Sequence, residues 1–446
     1  MTKRILKAYE RYDYNGKVVP GSLVLRSKMP KNGKWKETLA YECCNYVPIP
    51  FISVWRTTSS DESVTLPYGL GDTYTGTINW GDGNITENSY ANITHTYAVP
   101  GDYTITILGK TWGWSFGANG GDASKIINIS QWGNGFRLGN SGNYFELCSN
   151  LDLSGVTDIL DLPGTTNLSF MFNSCISLTT VNRMNEWDVS NVTNMRGMFE
   201  SANVFNQDIG TWNVSNVTRM DSMFKNAILF NQDIGSWNVS NVTRMFSMFY
   251  NASAFNQPIG NWNVSSVINT SGMFALAIAF NQDIGMWDVS SVNQMSGMFS
   301  GAILFNQDIG AWDVSSVTEM ATMFSGATTF NNGGSSTINN WNLSSLYNMD
   351  SLFEDAEAFN QNIGGWDVSS VESMDRTFYD AKLFNQDISG WNVSNVTIMN
   401  NMFTNAIAFN QDLSSWCVTN FVDIPSGFDT GATSWLLPKP VWGTCP

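Results

Sequence analysis

The chain has 446 residues, of which 13% are aromatic and only 13% are charged, and its formal net charge is −16. A protein this acidic repels the phosphates of nucleic acids and anionic lipid headgroups, so neither is an expected partner. Its polarity must come from uncharged Asn, Ser, Thr and Gly, which is typical of β-rich and repeat proteins.

Basic residues are concentrated at the beginning of the chain. Ten of the 22 basic residues fall within the first 36 positions, so a small basic head precedes an acidic body. Residues 1–16 are interrupted by charge and lack the apolar run of a secretory signal, and no window approaches 18 consecutive apolar residues. We therefore expect synthesis in the cytoplasm and no membrane insertion.

The next segment, residues 49–112, alternates polar and apolar residues as strands do. Residues 73–80 (TYTGTINW) and 94–107 (THTYAVPGDYTITI) flank a turn at 81–83 (GDG), which predicts a small β-sandwich. The run Trp-Gly-Asp-Gly at 80–83, His-Thr-Tyr at 95–97 and PGDYTI at 100–105 resembles the PKD-type immunoglobulin-like domain. The resemblance implies a structural position for His95, the only histidine.

From residue 187 onward the sequence repeats. Tryptophan recurs every 25 residues except for one step of 29, at 187, 212, 237, 262, 287, 312, 341, 366, 391 and 416. The four extra residues lie in the Gly/Ser-rich stretch 331–340 (NNGGSSTINN). A fixed period of this length indicates stacked structural repeats.

Within one unit, residues 220–227 carry apolar residues at i, i+3, i+4 and i+7, which predicts a short helix followed by one or two short strands. A single unit cannot bury its own apolar side, so units must stack and identical residues must form columns. We predict core positions for these columns, represented by Trp212, Trp237, Trp262, Phe224 and Phe249.

An Asn-Gln-Asp segment also repeats. Inward asparagines such as Asn206 and Asn231 would satisfy backbone groups at each turn. The aspartates that follow, including Asp208, Asp233, Asp283 and Asp308, form a like-charged row that either accepts backbone hydrogen bonds or binds calcium. Breaks at Pro258 and Asn362 favour the first interpretation, so we expect no cofactor, with calcium as the alternative.

Two degenerate units precede the regular ones and a different sequence follows them. Cys148 and Cys175 occupy positions where later units carry alanine, which predicts buried small residues in entry coils within residues 113–186. The repeats then run to residue 416, and residues 417–446 form a predicted C-terminal cap. Cys417 and Cys445 bracket that cap and are the candidate pair for a disulfide, which the sequence leaves open.

The repeat WNVSNVTxMxxMFxxAxxFNQDIG resembles the BspA-like leucine-rich-repeat surface proteins. The resemblance implies a fold that is mainly β with short helices, in which the small Ig-like sandwich precedes a leucine-rich-repeat-like solenoid of about 11 coils. It also implies an adhesive or recognition role without naming a ligand.

Residues 1–48 (with GKVVPGSLVLRSKMPKNGKWKE) depart from that family and resemble an N-terminal attachment module of virion proteins from phages of Bacteroidetes. The preferred hypothesis is a phage virion protein, a capsid, tail fibre or decoration subunit, that docks to other virion proteins through residues 1–48. Its repeats would bind a host-surface glycan or protein, and homo-oligomers would be compatible with this role. The alternative is a bacterial cell-surface adhesin.

Catalytic motifs are missing from the sequence. It has no phosphate-binding GxxxxGK[ST], no HExxH and no Cys/His metal spacing, and a single histidine gives little basis for a catalytic triad. We expect no enzymatic activity and no catalytic residue. A carbohydrate-active enzyme is the third hypothesis, because paired acids abound, but a repeat produces such acids anyway.

Overall fold

A computed structural model of the protein describes residues 48–446 and, before them, the backbone of two strands only. The chain divides into two compact units, Met1–Pro48 and Ile49–Pro446. In the first unit β1 (Lys7–Tyr12) pairs antiparallel with β2 (Val18–Arg26). The side chains of the predicted attachment module lie outside the described residues.

The second unit begins with open β-sheets. Its strands are β3 (Phe51–Thr57), β4 (Glu62–Thr65), β5 (Thr77–Asn79), β6 (Ile85–Glu87), β7 (Thr94–Tyr97), β8 (Gly101–Leu108), β9 (Thr111–Trp112), β10 (Ile126–Gln131) and β11 (Phe136–Arg137). Five form one antiparallel sheet in the order β10-β3-β8-β5-β6, while β4 pairs with β7 and β11 with β9. One α-helix, α1 (Phe116–Asn119), and short 3-10 turns complete the regular elements of residues 48–446.

Alternation along β3 explains how this sheet forms its core. Phe51, Ser53, Trp55 and Thr57 are buried and the residues between them are more exposed, as expected for a strand with one buried face. Val64 of the β4–β7 pair is buried in the same apolar cluster. The prediction of a mainly β structure is confirmed, and the described residues contain very few helices.

The repeats stack in parallel, one unit on the next. Single β-bridges join equivalent residues of successive units at the positions Asn194, Arg219, Arg244, Asn269, Gln294, Glu319, Asn348, Ser373 and Ile398. Two further bridges, from Asn128 to Asp152 and from Leu153 to Val181, extend the stacking into the degenerate units.

The predicted helix over residues 220–227 is wrong. This segment is a run of tight turns in which Ser222 and Asn226 have φ of 57° and 58°. A left-handed residue every four positions cannot be part of an α-helix. Each tight turn brings the chain back to the core, and this places apolar residues at i, i+3, i+4 and i+7. The same spacing is found on the buried face of a helix, which is why the sequence pattern predicted one.

Aromatic side chains form continuous columns inside the stack. Phe224 lies 5.6 Å from Phe199 and 5.7 Å from Phe249 between ring centroids, with nearly parallel rings. Trp212, Trp237 and Trp262 are 3–4% exposed. The indole of Trp237 donates to the carbonyl of Ile209, 28 residues earlier, at 3.2 Å, which compensates its burial. The indole N–H of Trp187, at the start of the column, is buried without a hydrogen-bond partner.

The columns are closed at both ends by rings in other orientations. At the beginning, Phe145 stacks on Phe172 and contacts Trp114 of the sheet region at 6.3 Å. At the end, the Phe403 and Phe409 rings meet Trp435 of the cap at interplanar angles of 73° and 86°. The sheet core therefore continues into the repeat core, and the predicted boundary at residue 112 divides one compact unit.

A disulfide joins Cys417 to Cys445 in the cap. Cys148 and Cys175 are free and buried, and burial raises the pKa of both thiols. None of the helices among the described residues has the length and apolar character needed to cross a bilayer.

Candidate recognition surface

One face of the stack carries the side chains that differ most between units. We call it the turn ladder and define it by residues 219–226 of the unit 212–236 together with the equivalent residues of the other units. Its outward positions, which alternate with the buried Met and Phe columns, correspond to residues 219, 221, 222, 225 and 226, and of these Asp221 and Ser222 are themselves only 0% and 7% exposed.

Backbone hydrogen bonds between units hold the ladder rigid. The amides of Met220, Ser222, Phe224 and Asn226 donate to carbonyls of the next unit at 2.8–3.1 Å. Amides between them close turns within the unit, such as Met223 to Met220 at 3.1 Å. Because both sets of backbone groups are satisfied by other backbone groups, the fold does not require hydrogen bonds from the outward side chains.

The left-handed positions select particular residues. Gly197, Gly272 and Gly297 occupy the position of Ser222, and asparagine recurs at the position of Asn226. Glycine has no steric penalty at positive φ, and asparagine has a small one. The ladder therefore constrains backbone conformation more than side-chain chemistry.

The N-terminal part of the ladder is basic. Over residues 187–261 its outward positions hold four basic residues, Arg196, Arg219, Lys225 and Arg244, against two acidic ones, Glu200 and Asp221. Arg244 is exposed, and Lys225 pairs with Glu200 at 3.0 Å.

A buried carboxylate organises these arginines. Asp221 is 0% exposed and accepts hydrogen bonds from Arg219 at 3.1 and 3.2 Å. Arg196 Nε lies 3.0 Å from the same carboxylate but forms an ion pair only, because its N–H makes no aligned hydrogen bond. The Arg196 guanidinium also lies 5.1 Å from the Phe170 ring centroid, as in a cation–π contact.

The middle of the ladder is almost uncharged and built from small side chains. Glu319, whose carboxylate accepts from the Tyr347 hydroxyl, is its one charged residue within residues 262–340. The outward residues of these units are mostly serine, glycine, alanine and threonine, namely Ser271, Gly272, Ala275, Ser296, Gly297, Ser300, Ala321, Thr322 and Ser325.

The C-terminal part is acidic. Over residues 341–390 the outward positions hold five acidic residues against the single basic Arg376, and these acids are Asp350, Glu354, Asp355, Asp375 and Asp380. Partial burial and then the charge of Asp380 raise the pKa of Asp355. Partial burial and then Asp350 raise the pKa of Asp375. Negative potential therefore accumulates at this end of the ladder.

The structure places the variable residues Arg219, Phe246 and Glu319 on this face. Sequence analysis missed Asp221, although the pattern Arg-Met-Asp at 219–221, with an acid two positions after an arginine, was a usable signal. The contact between Phe170 and Arg196 could not be found, because the 27-residue spacing of the entry units obscures the alignment.

The Asn-Gln-Asp segments lie elsewhere on the surface. The Asn206 side chain is exposed rather than inward, and its Oδ1 accepts from the amide of Asn231 at 2.9 Å and the side chain of Gln232 at 3.0 Å. Asn231 makes the same bonds to the next unit. The asparagines do satisfy backbone groups, but they do so along the outside of the stack.

The aspartate row consists of backbone caps. Asp208, Asp233, Asp283 and Asp308 each accept from the glycine amide two residues later, at 2.9–3.0 Å. Within the described part of the chain, no three His, Cys, Asp or Glu residues are grouped closely enough to hold a metal ion. The geometry agrees with the capping interpretation, and calcium binding stays an untested alternative.

His95 is held in a structural contact of the sheet region. Its Nε2 lies 2.7 Å from Asp82 Oδ2, and its ring stacks on Trp80 at 5.0 Å. Partial burial opposes ionisation of Asp82, but hydrogen bonds from His95 and Asn84 lower its pKa to about 2. The contact ties the turn after β5 to β7.

Comparison with known sequences identifies the repeats. A family model described as "Mycoplasma protein of unknown function, DUF285" matches residues 166–284, 258–337 and 333–435, which together exceed half of the chain. This match is compatible with the resemblance of the repeats to BspA-like proteins. No curated protein and no solved structure matches the chain.

Proposed function

The chain belongs to the DUF285 family, and from this premise we propose that it is a non-enzymatic recognition protein that binds a host-surface glycan or protein through the turn ladder. The observation that carries the proposal is the contrast between a uniform core and a variable outer face. The same Trp and Phe columns recur in every regular unit and the Met columns in most of them, whereas the ladder changes from basic to neutral to acidic along its length.

A face of this kind suits recognition better than catalysis. Its side chains are supported by a rigid backbone, and complementary charge at its two ends would orient a partner and increase the association rate. Repeat proteins commonly bind through such extended surfaces. Within this proposal the repeats are a leucine-rich-repeat-like solenoid, and residues 49–112 are a PKD-like domain.

The finer proposal is that the protein is part of a virion, attached to other virion proteins through residues 1–48. It rests on the resemblance of that segment to phage attachment modules and on its ten basic residues. The second candidate, a bacterial cell-surface adhesin, is supported by the family of the repeats. Electron microscopy of the native assembly distinguishes the two: particles that contain the chain support the first, and its presence on cell envelopes supports the second.

The recognition proposal is tested with labelled full-length protein and intact bacterial cells, measured by flow cytometry. Arg244→Ala removes an exposed basic group of the ladder, and Asp375→Asn removes an acidic one. We expect at least one of them to weaken cell binding about tenfold, as loss of a central interface charge commonly does.

Matched controls remove similar groups outside the ladder. Arg183→Ala deletes an exposed arginine that pairs with Glu186, and Asp233→Asn keeps the side-chain oxygen that caps Gly235. Both should bind as the original protein does. Equal binding by all four variants would show that the ladder is not the recognition surface, and periodate or protease treatment of the cells would identify the ligand as glycan or protein.

A further inference from the structure

A concave site lies where the edge of the sheet region meets the entry units, before the charged parts of the turn ladder. Its cavity has a volume of about 300 Å³ and is lined by Trp112, Arg137, Asn140, Pro163 and Thr165, together with two glycines. Cavities of this size bind small molecules or single units of larger ligands.

Trp112 is unusual among the tryptophans of this protein. It is 41% exposed, whereas Trp114 and Trp132 nearby are fully buried, and no other tryptophan of residues 48–446 is as exposed. An indole left in water forgoes the stabilisation that its large apolar surface would provide on burial. An exposed indole in a cavity is therefore a candidate contact for a ligand.

The backbone places an arginine beside this indole. Strands β9 and β11 pair in parallel with Arg137 directly opposite Trp112, and paired residues of neighbouring strands project to the same side of a sheet. Arg137 Nη1 donates to the Phe136 carbonyl at 2.6 Å, and Nη2 lies 2.7 Å from Asp161 Oδ2. These contacts fix the guanidinium and leave three of its five N–H groups for a ligand.

Further polar groups lie beside the guanidinium, the indole or the cavity wall. The Asp161 side chain is 59% exposed and offers acceptor oxygens beside the guanidinium. Lys110 Nζ lies 5.1 Å from the Trp112 ring centroid. The Asn140 side chain accepts a hydrogen bond from the Thr166 amide at 2.6 Å and donates one to the Gly164 carbonyl at 3.0 Å. Because both ends of its amide are engaged, it forms part of the cavity wall.

We propose that this cavity binds one pyranose unit of a glycan. A pyranose has an apolar face of C–H groups and a rim of hydroxyls, and the cavity offers an indole surface beside a fixed guanidinium–carboxylate pair. The hydroxyls accept from Arg137 and donate to Asp161, while the C–H face packs on Trp112. The cavity shares no lining residue with the charged parts of the ladder at 187–261 and 341–390, so binding at the two places can be tested separately.

The test uses the full-length chain and saturation-transfer NMR with glucose, galactose, mannose, N-acetylglucosamine and glucuronate. We expect at least one of these sugars to bind with a dissociation constant of about 1 mM, which is typical of one small ligand with few contacts. Trp112→Ala should weaken that binding at least tenfold, and Trp112→Phe, which keeps an aromatic ring, should weaken it less. Arg137→Ala should weaken it several-fold.

Tyr90→Ala is the matched control, because Tyr90 is 42% exposed on the same sheet region and does not line the cavity. Its sugar binding should not change, and thermal melting checks that every variant is folded. Absence of binding by all five sugars at 10-fold excess over the expected constant, or equal binding by folded Trp112→Ala, would overturn the proposal. Neither result would affect cell binding through Arg244 and Asp375, so the sugar-binding proposal can be disproved without disproving recognition through the turn ladder.

Discussion

At the scale of single residues, Asp221 shows how one unit of the repeat can bury a charged side chain. The equivalent position holds Phe246, serine or Ala321 in the next units and aspartate again at Asp350 and Asp375, but among the described residues only Asp221 is a fully buried carboxylate between two arginines. Burial of a charge is tolerated when opposite charges and hydrogen bonds compensate it. The group therefore orders the basic end of the ladder.

Replacement of this carboxylate should destabilise the repeats that contact it. Asp221→Ala would remove the hydrogen-bond acceptor of Arg219 and the ion-pair partner of Arg196, and we expect a loss of about 1–3 kcal/mol. Thermal melting followed by circular dichroism measures the change. Ser296→Ala at the equivalent position serves as the control and should have little effect, and equal melting temperatures for both variants would contradict the assigned role of Asp221.

At the scale of the element, the period and the core columns could be predicted from sequence and the local backbone could not. One unit cannot bury its tryptophan and phenylalanines by itself, although Phe224 and Phe230 of the same unit do stack at 3.9 Å between ring centroids, so stacking of units was expected. However, a helix and a run of tight turns place apolar residues at the same spacing over the eight positions 220–227. What separates them is the sign of φ at Ser222 and Asn226, and serine and asparagine are compatible with both signs.

Of the two kinds of candidate site, one could be predicted from the sequence and the other could not. The aspartate row could be recognised, since an Asp two residues before glycine is a frequent capping pattern. The cavity at Trp112 could not, because Trp112, Arg137 and Asp161 come from three separate segments whose approach depends on how the sheet joins the entry units.

Substitutions at Ser222 distinguish a turn from a helix. Because Ser222 has φ of 57°, Ser222→Gly should keep or raise the melting temperature, as glycine adopts positive φ without strain. Ser222→Val should lower stability by about 1–3 kcal/mol, since a β-branched residue is strained there. A helix would respond to glycine with a loss instead, so a lower melting temperature for Ser222→Gly than for Ser222→Val would contradict the turn assignment.

At the scale of the whole molecule, stability depends on the ends of the stack. A repeat array exposes its core wherever it stops. The sheet region covers the first coil, and Trp435 and Phe428 of the cap cover the last through edge contacts with Phe403. The asparagine row ends in the same place, where Asn410 Oδ1 accepts from the amides of Leu436 and Leu437 at 2.8 and 3.0 Å.

Removal of the cap should therefore affect solubility before it affects the rest of the fold. Deleting residues 417–446 would uncover Phe403, Phe409 and Leu413, which are fully buried, and we expect concentration-dependent association in size-exclusion chromatography with light scattering. The milder variant Cys417→Ser removes only the disulfide, which joins two residues 28 positions apart. Its loss should lower the stability of the cap by about 2–4 kcal/mol. A truncated chain that stays monomeric at high concentration would show that the cap does not protect the core.

The stacking of whole units also makes the ladder a molecular ruler. Its basic and acidic ends are separated by the units of residues 262–286, 287–311 and 312–340, each of which adds one strand spacing of about 4.8 Å. Gain or loss of one 25-residue unit would change the distance between the two charged ends by a single step and leave their chemistry intact. Genetic duplication could thus tune the length of the partner that fits, independently of the charges that attract it.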